Sequence, residues 1–294
     1  MIRLLFLFLG LGLFACSPAD RPSDSMASVP AEVETPTEEA SSPDQYQQYL
    51  WCKQGTNYSV EAAQAQTARW MELSAEAGLD NWGAFSMVSR VDDPNFDSIL
   101  GLIWPSKDAQ EAAMALYTEA GINTKLAQEF PDVVFCGGDE GQWTFGFDVW
   151  NSDRTAARQN PEPGAGGNGA YRFCSYNEGK EPSDLRAVVE GPHAEWINEF
   201  EEANGSSSYH YKYLRPDFDT TTAERNDPVP AEYDFVWLDA NASEEDRVAG
   251  QEAFEETGQD VQAAADAVGS SSGCDHVWQD EAEQKRGLRL GPKR

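Results

Sequence analysis

Four cysteines and a short run of tyrosines with histidine carry most of the chemistry that this sequence displays. The stretch Tyr49-Leu50-Trp51-Cys52 recurs as Tyr171-Arg172-Phe173-Cys174, and each copy opens a block that closes on one further cysteine, Cys136 or Cys274. Thiols can staple strands, hold a metal or act as nucleophiles. Zinc sites use close ligand pairs such as Cys-x2-Cys, and the four cysteines form no such pair. The second cluster is Tyr209-His210-Tyr211-Lys212-Tyr213. Side chains alternate across a strand, so the three tyrosines share one face and His210 takes the other. With His276, which follows Cys274-Asp275, these residues are the ligand-pocket candidates. They could hold a small molecule or move a proton. Aromatic residues at strand spacing more often form core. The third histidine, His193, lies beside Pro192 and reads as a surface or packing residue.

No nucleophile elbow, phosphate loop, metalloprotease pair or dinucleotide fingerprint occurs. No catalytic residue and no metal ligand can therefore be named, and no cofactor is implied. Whether the chain is an enzyme stays open. Asp217, Asp219 and Asp227 lack the spacing of a calcium loop and read as an acidic loop.

The N-terminus points to export. Leu4 to Leu13 is an apolar run behind Arg3, too short for a spanning helix, which needs about 20 residues. It reads as a signal peptide. Its end, Leu13-Phe14-Ala15-Cys16, resembles the bacterial lipobox. That resemblance implies cleavage after residue 15 and a lipid on Cys16, hence a membrane partner through the N-terminal lipid. Ser17 in place of Asp implies outer-membrane sorting, facing the periplasm, in a Gram-negative host. Residues 16–45 are rich in Pro, Ser, Ala and Glu and read as a disordered tether. The chain carries 51 acidic against 21 basic residues, which makes nucleic acid an unlikely partner and fits a salt-adapted host. An envelope protein or a small molecule is the remaining kind of partner.

The two blocks repeat one element order. Residues 46–150 read as strand, helix, strand, strand, helix, strand, and residues 171–284 read the same way. Residues 151–170, with their prolines and glycines, are a linker, and 285–294 a basic tail. Ser59, Ser106, Ser183 and Ser243 stand where helix N-caps are expected. In this register Trp237 takes the place of Trp104. The order is the ferredoxin-like split pattern, an α+β fold. Two such units in tandem resemble the dimeric α/β-barrel superfamily. That resemblance implies a monomer with an internal pseudo-dimer and ligands held between sheet and helices or inside the barrel. There is a fainter likeness to marine bacterial repeat proteins whose repeats open with Tyr-x-x-Cys near a Glu-Gly-Lys, here Glu178-Gly179-Lys180.

In the ferredoxin-like order the first strand lies beside the last, which predicts disulfides Cys52–Cys136 and Cys174–Cys274, one per block. An exported chain with an even number of remaining cysteines suits that reading. Two functions follow. One is a non-enzymatic, lipid-anchored envelope protein that binds a small ligand or a protein. The alternative is a cofactor-free or haem-handling enzyme of the dimeric α/β-barrel type, using His210, His276 or a tyrosine.

Overall fold

The computed structural model describes residues 42–89, 96–137, 144–152, 167–220, 233–271, 276–280 and 289–290. Cys16, its signal peptide and most of the tether lie outside them, as do Cys274 and most of the linker and tail. Among the described residues no helix is long and apolar enough to cross a membrane.

The first half runs β1 (Gln45–Gln54), α1 (Val60–Glu76), β2 (Gly83–Ser89), β3 (Ser98–Trp104), α2 (Lys107–Glu119), α3 (Ile122–Glu129), β4 (Val134–Cys136) and β5 (Thr144–Asn151). The second runs β6 (Asn168–Tyr176), α4 (Pro182–Val188), a π-helical turn (Val189–His193), α5 (Ala194–Asn204), β7 (His210–Pro216), β8 (Phe235–Asn241), α6 (Glu244–Thr257), α7 (Gln259–Val268), β9 (Gly269–Ser271) and β10 (His276–Asp280). A last piece, β11 (Arg289–Leu290), pairs with β2, so part of the basic tail is a strand.

Local chemistry sets the helix ends. Ser59 Oγ accepts from the Ala62 N–H at 3.1 Å, and Ser106 and Ser243 cap α2 and α6 in the same way. α4 differs from expectation. Its N-cap is Glu181, and Ser183 instead donates its hydroxyl to the Glu181 carboxylate at 2.8 Å. Pro182 at the first helical position explains the shift, because its missing N–H is one the helix cannot use there anyway. Gly191 leaves helical geometry (φ −98°, ψ −108°) ahead of Pro192. The resulting kink turns His193 inward, where it is 8% exposed.

All strand pairs are antiparallel. In the first half the order is β5-β1-β3-β2, and in the second β10-β6-β8-β7. β5 pairs with β7, and β10 pairs with β2. The sheet therefore curls until its hydrogen-bond ladder returns to its start, which leaves the main strands without an open edge.

Both sheet faces are covered. Odd-numbered Tyr49 and Trp51 of β1 point into the ring, and even-numbered Leu50 and Cys52 point toward the helices. Inside the ring a core drawn from both halves joins Tyr49, Trp51, Phe147, Val149, Tyr171, Phe173, Leu214 and Val236. The tyrosines of the two recurring stretches meet at its centre. Their rings are edge-to-face at 5.7 Å, and the Tyr171 hydroxyl lies 3.4 Å from that of Tyr49. Burial first, and then Tyr171, hold the Tyr49 phenol well above its ordinary value.

The cysteines divide. Cys52 and Cys136 form a disulfide, with Cα atoms 4.0 Å apart and a sequence separation of 84. The strand carrying Cys136 is a separate short one, β4, laid against the end of β1 in the register Cys52↔Cys136. In the second half the residue opposite Cys174 is Ser271, three before Cys274. Cys174 is buried, and its expected partner lies outside the described residues. Replacing Cys52 and Cys136 by serine should cost about 4–5 kcal/mol, because the lost staple closes a long loop in the unfolded chain. Chemical unfolding of the variant and of the parent in non-reducing buffer measures this. Equal midpoints would show that the staple is dispensable.

Candidate functional site

The two halves are comparable residue by residue once the cysteines of the recurring stretches are set level. Cys52 pairs with Ser98 and Cys174 with Phe235. By that register Leu100 is the counterpart of Trp237, Leu102 of Asp239, Leu50 of Arg172 and Ser86 of Tyr213. Trp237 is thus not in Trp104's place. Trp104 lies opposite Tyr46, six residues before Cys52, whereas Trp237 lies opposite Arg172, two before Cys174.

The exchange of residue types has a volume consequence. In the first half, leucines and a serine leave a cleft of about 920 Å³ between the sheet and α1–α3. Its floor is Leu50, Leu100 and Leu102, and its roof includes Met114, Leu126 and Phe130. Three tryptophans line it in series. Trp70 and Trp82 have ring centroids 4.8 Å apart, and Trp82 and Trp104 6.2 Å apart. The cleft opens beside β4, where Val60 is 36% and Phe135 55% exposed. That mouth is built by Gly55, where a Cβ would come within 2.2 Å of the Asp132 backbone carbonyl oxygen. The close approach lets the Asn57 N–H donate to that carbonyl at 2.8 Å and lets Thr56 bond the Asp132 side chain. Those Thr56 bonds hold the exposed Asp132 carboxyl below its usual range.

In the second half, large and charged side chains stand at the same level. Tyr211 stacks on Trp237 at 4.8 Å, and the His193 ring lies 4.9 Å from Tyr211 and 5.7 Å from Trp237. Asp239 accepts from the Tyr209 hydroxyl and the Trp237 Nε1–H, both at 2.7 Å, and pairs with Arg172. Burial pushes the Asp239 carboxyl up, but Arg172 and these two donors outweigh it and hold it below the ordinary value. Burial and Asp239 push the Tyr209 phenol well up.

The pocket candidates read from sequence fall as follows. Tyr209, Tyr211 and Tyr213 do share a face, the one toward the helices, and there they pack on His193, on Trp237 and on Phe235 respectively. Tyr213 also shares a hydrogen bond with Tyr176 at 3.1 Å. His210 is half-buried at the start of β7, its Nδ1 3.5 Å from the Ser208 carbonyl oxygen. The backbone of His276 pairs with Tyr171; its side chain is outside the described residues. The structure brings together three of these five residues, plus His193, Arg172, Trp237 and Asp239. The first-half cleft was missed. The loops of the two blocks differ in length, so the Leu100/Trp237 and Leu102/Asp239 exchanges emerge only from the strand register.

No protein-family model matches the chain, and no curated protein matches it. Among solved structures the chain is similar to a variant of the chlorite dismutase of Candidatus Nitrospira defluvii, at 10% identity and TM-score 0.47, covering 83% of this chain and 96% of that one. It is also similar to a haem-binding protein from Thermus thermophilus, at 11% identity and TM-score 0.44, covering 83% and 94%. An anthrone oxidase-like protein matches at 11% identity and TM-score 0.39, covering 80% and 90%. At such distance in sequence and shape, what they bind does not carry over to this chain.

Proposed function

We propose that this chain is a small-molecule-binding protein, built as two ferredoxin-like units closed into one pseudo-dimeric α/β barrel, which holds its ligand in the first-half cleft. On the sequence side it is exported and anchored by a lipid on Cys16, with Cys174–Cys274 as a second staple. The observation that carries the reading is the cleft itself. It has the size of a ligand site, about 920 Å³, and its lining mixes tryptophans and leucines with polar side chains such as Gln48, Gln64 and Thr67. The matching layer of the other half is filled by the protein's own side chains.

Haem is the cofactor that the alternative reading brings in, and its iron needs an axial donor, usually His, Cys, Met or Tyr. The described lining of the cleft contains no histidine. Its two cysteines are joined to each other. Burial pushes the Tyr117 phenol up to about 12, and its hydroxyl already donates to Asn123. Met114 and Tyr58 remain on the described lining, with no histidine or free thiol beside them. In the second half, His193 Nε2 lies 3.4 Å from the Tyr209 hydroxyl, under the Tyr211 and Trp237 rings. Neither layer fits haem as the side chains stand, and no reaction step is derived through it.

The test is a titration of the full chain with N-phenylnaphthylamine, an uncharged aromatic dye, followed through tryptophan emission. Saturable quenching with one site per chain is the expected result. Emission that changes only linearly with dye would contradict a formed site.

A further inference from the structure

Several polar groups along the cleft are already paired within the protein. Trp104 Nε1–H donates to Gln48 Oε1 at 3.2 Å, and Trp82 Nε1–H to the Leu79 carbonyl at 3.0 Å. Gln66 is clamped to the backbone of β4, donating to the Val134 carbonyl at 2.8 Å and accepting from its N–H at 3.1 Å. Tyr117 donates to Asn123 at 2.7 Å. At these positions a ligand meets ring faces and methyl groups, because the polar atoms there are already engaged. The charged residues on the described lining are one cation, Lys53, and one anion, Asp132, both at the end where β1 runs beside β4. Outside, the chain is strongly acidic, with a formal charge of −30.

From these observations we infer that the ligand is an uncharged, planar, mainly aromatic molecule, and that the cleft discriminates against anionic molecules of the same shape; this rests on the cleft being the ligand site. Flat rings match the half-buried Trp70, which the buried Trp82 and Trp104 back, because aromatic pairs gain from offset and edge-on contact beyond burial. An anionic group carried past Lys53 at the mouth, in among the leucines and tryptophans, would lose its water without a partner there, which is costly. Fatty acids and sulfonated or carboxylated aromatics are disfavoured on that ground. The surface charge adds a second, screenable repulsion.

The experiment compares N-phenylnaphthylamine with anilinonaphthalene sulfonate, which keeps the ring frame and adds one anionic group. Both are titrated into the full chain at low and high salt. The neutral dye should bind more tightly by about tenfold or more, roughly 1.4 kcal/mol, and the gap should persist in high salt because desolvation is not screened. Equal binding, or tighter binding of the sulfonate, would overturn the ligand class while leaving the cleft as a site. If neither dye binds, the site assignment itself falls, and this inference with it.

Discussion

Leu100→Trp should abolish dye binding while leaving the fold intact. The substitution copies Trp237, which occupies the matching register in the second half. Leu100 forms part of the cleft floor, so an indole there projects into the space a ligand would use. Dye affinity should fall by more than about tenfold. Overpacking a full core usually costs about 1–3 kcal/mol, but here the added atoms enter open volume. The thermal midpoint should therefore stay close to that of the parent. Ser86→Tyr, which copies Tyr213, should act in the same direction. Trp237→Leu in the second half should leave dye affinity at its parental value. Normal dye binding by a folded Leu100→Trp chain would remove the cleft from consideration.

Among the side chains of the second half, the largest stability effect is expected at Asp239. Its side chain is 14% exposed and answers Arg172, Tyr209 and Trp237 at once. Asp239→Ala removes the carboxylate that pairs with Arg172 and accepts from Tyr209 and Trp237. Breaking a buried pair from one side costs about 3–5 kcal/mol; Arg172 is 30% exposed, which places the loss near the lower end. Replacing both partners with the leucines of the first half, Arg172→Leu with Asp239→Leu, should recover part of this, since apolar replacements of buried pairs are often neutral. Recovery stays incomplete because the acceptor that Tyr209 and Trp237 each reach at 2.7 Å is gone. The pH sign follows from the depressed carboxyl. Asp239 stabilises the fold above the ordinary carboxylate value near 3.9, and that contribution is lost as pH falls through its lower folded value. Urea unfolding of parent and Asp239→Asn across acid pH checks this. The gap between the two should shrink as pH falls. A gap independent of pH would mean that the carboxylate's charge contributes nothing.

Much of the architecture was readable from residues. Ser59, Ser106 and Ser243 cap helices as serines should, and Gly121, at φ 62°, marks the turn between α2 and α3. The Cys52–Cys136 staple followed from placing the first strand beside the last, although the strand that carries Cys136 is the extra short β4. β1 itself, QYQQYLWCKQ, shows no clean alternation because both of its faces are buried. That is why the meeting of Tyr49 and Tyr171 inside the ring could not be read from either stretch alone.

The site was less legible for a physical reason. Sequence reading notices chemistry that is present, and Tyr209, His210 and Tyr211 drew attention for that. A cleft is made by what is missing. Leu100, Leu102 and Ser86 look like ordinary strand residues until Trp237, Asp239 and Tyr213 are set beside them in register. Matching Trp104 to Trp237 by residue type hid that comparison, since the strand pairing sets them four positions apart.

A crystal structure of the chain with N-phenylnaphthylamine tests the central claim most directly. The account predicts the rings between the Leu50–Leu100–Leu102 floor and α1–α3, in contact with Trp70 or Trp82. Dye bound inside the ring beside Tyr49 and Tyr171, or against His193 in the second half, would contradict it.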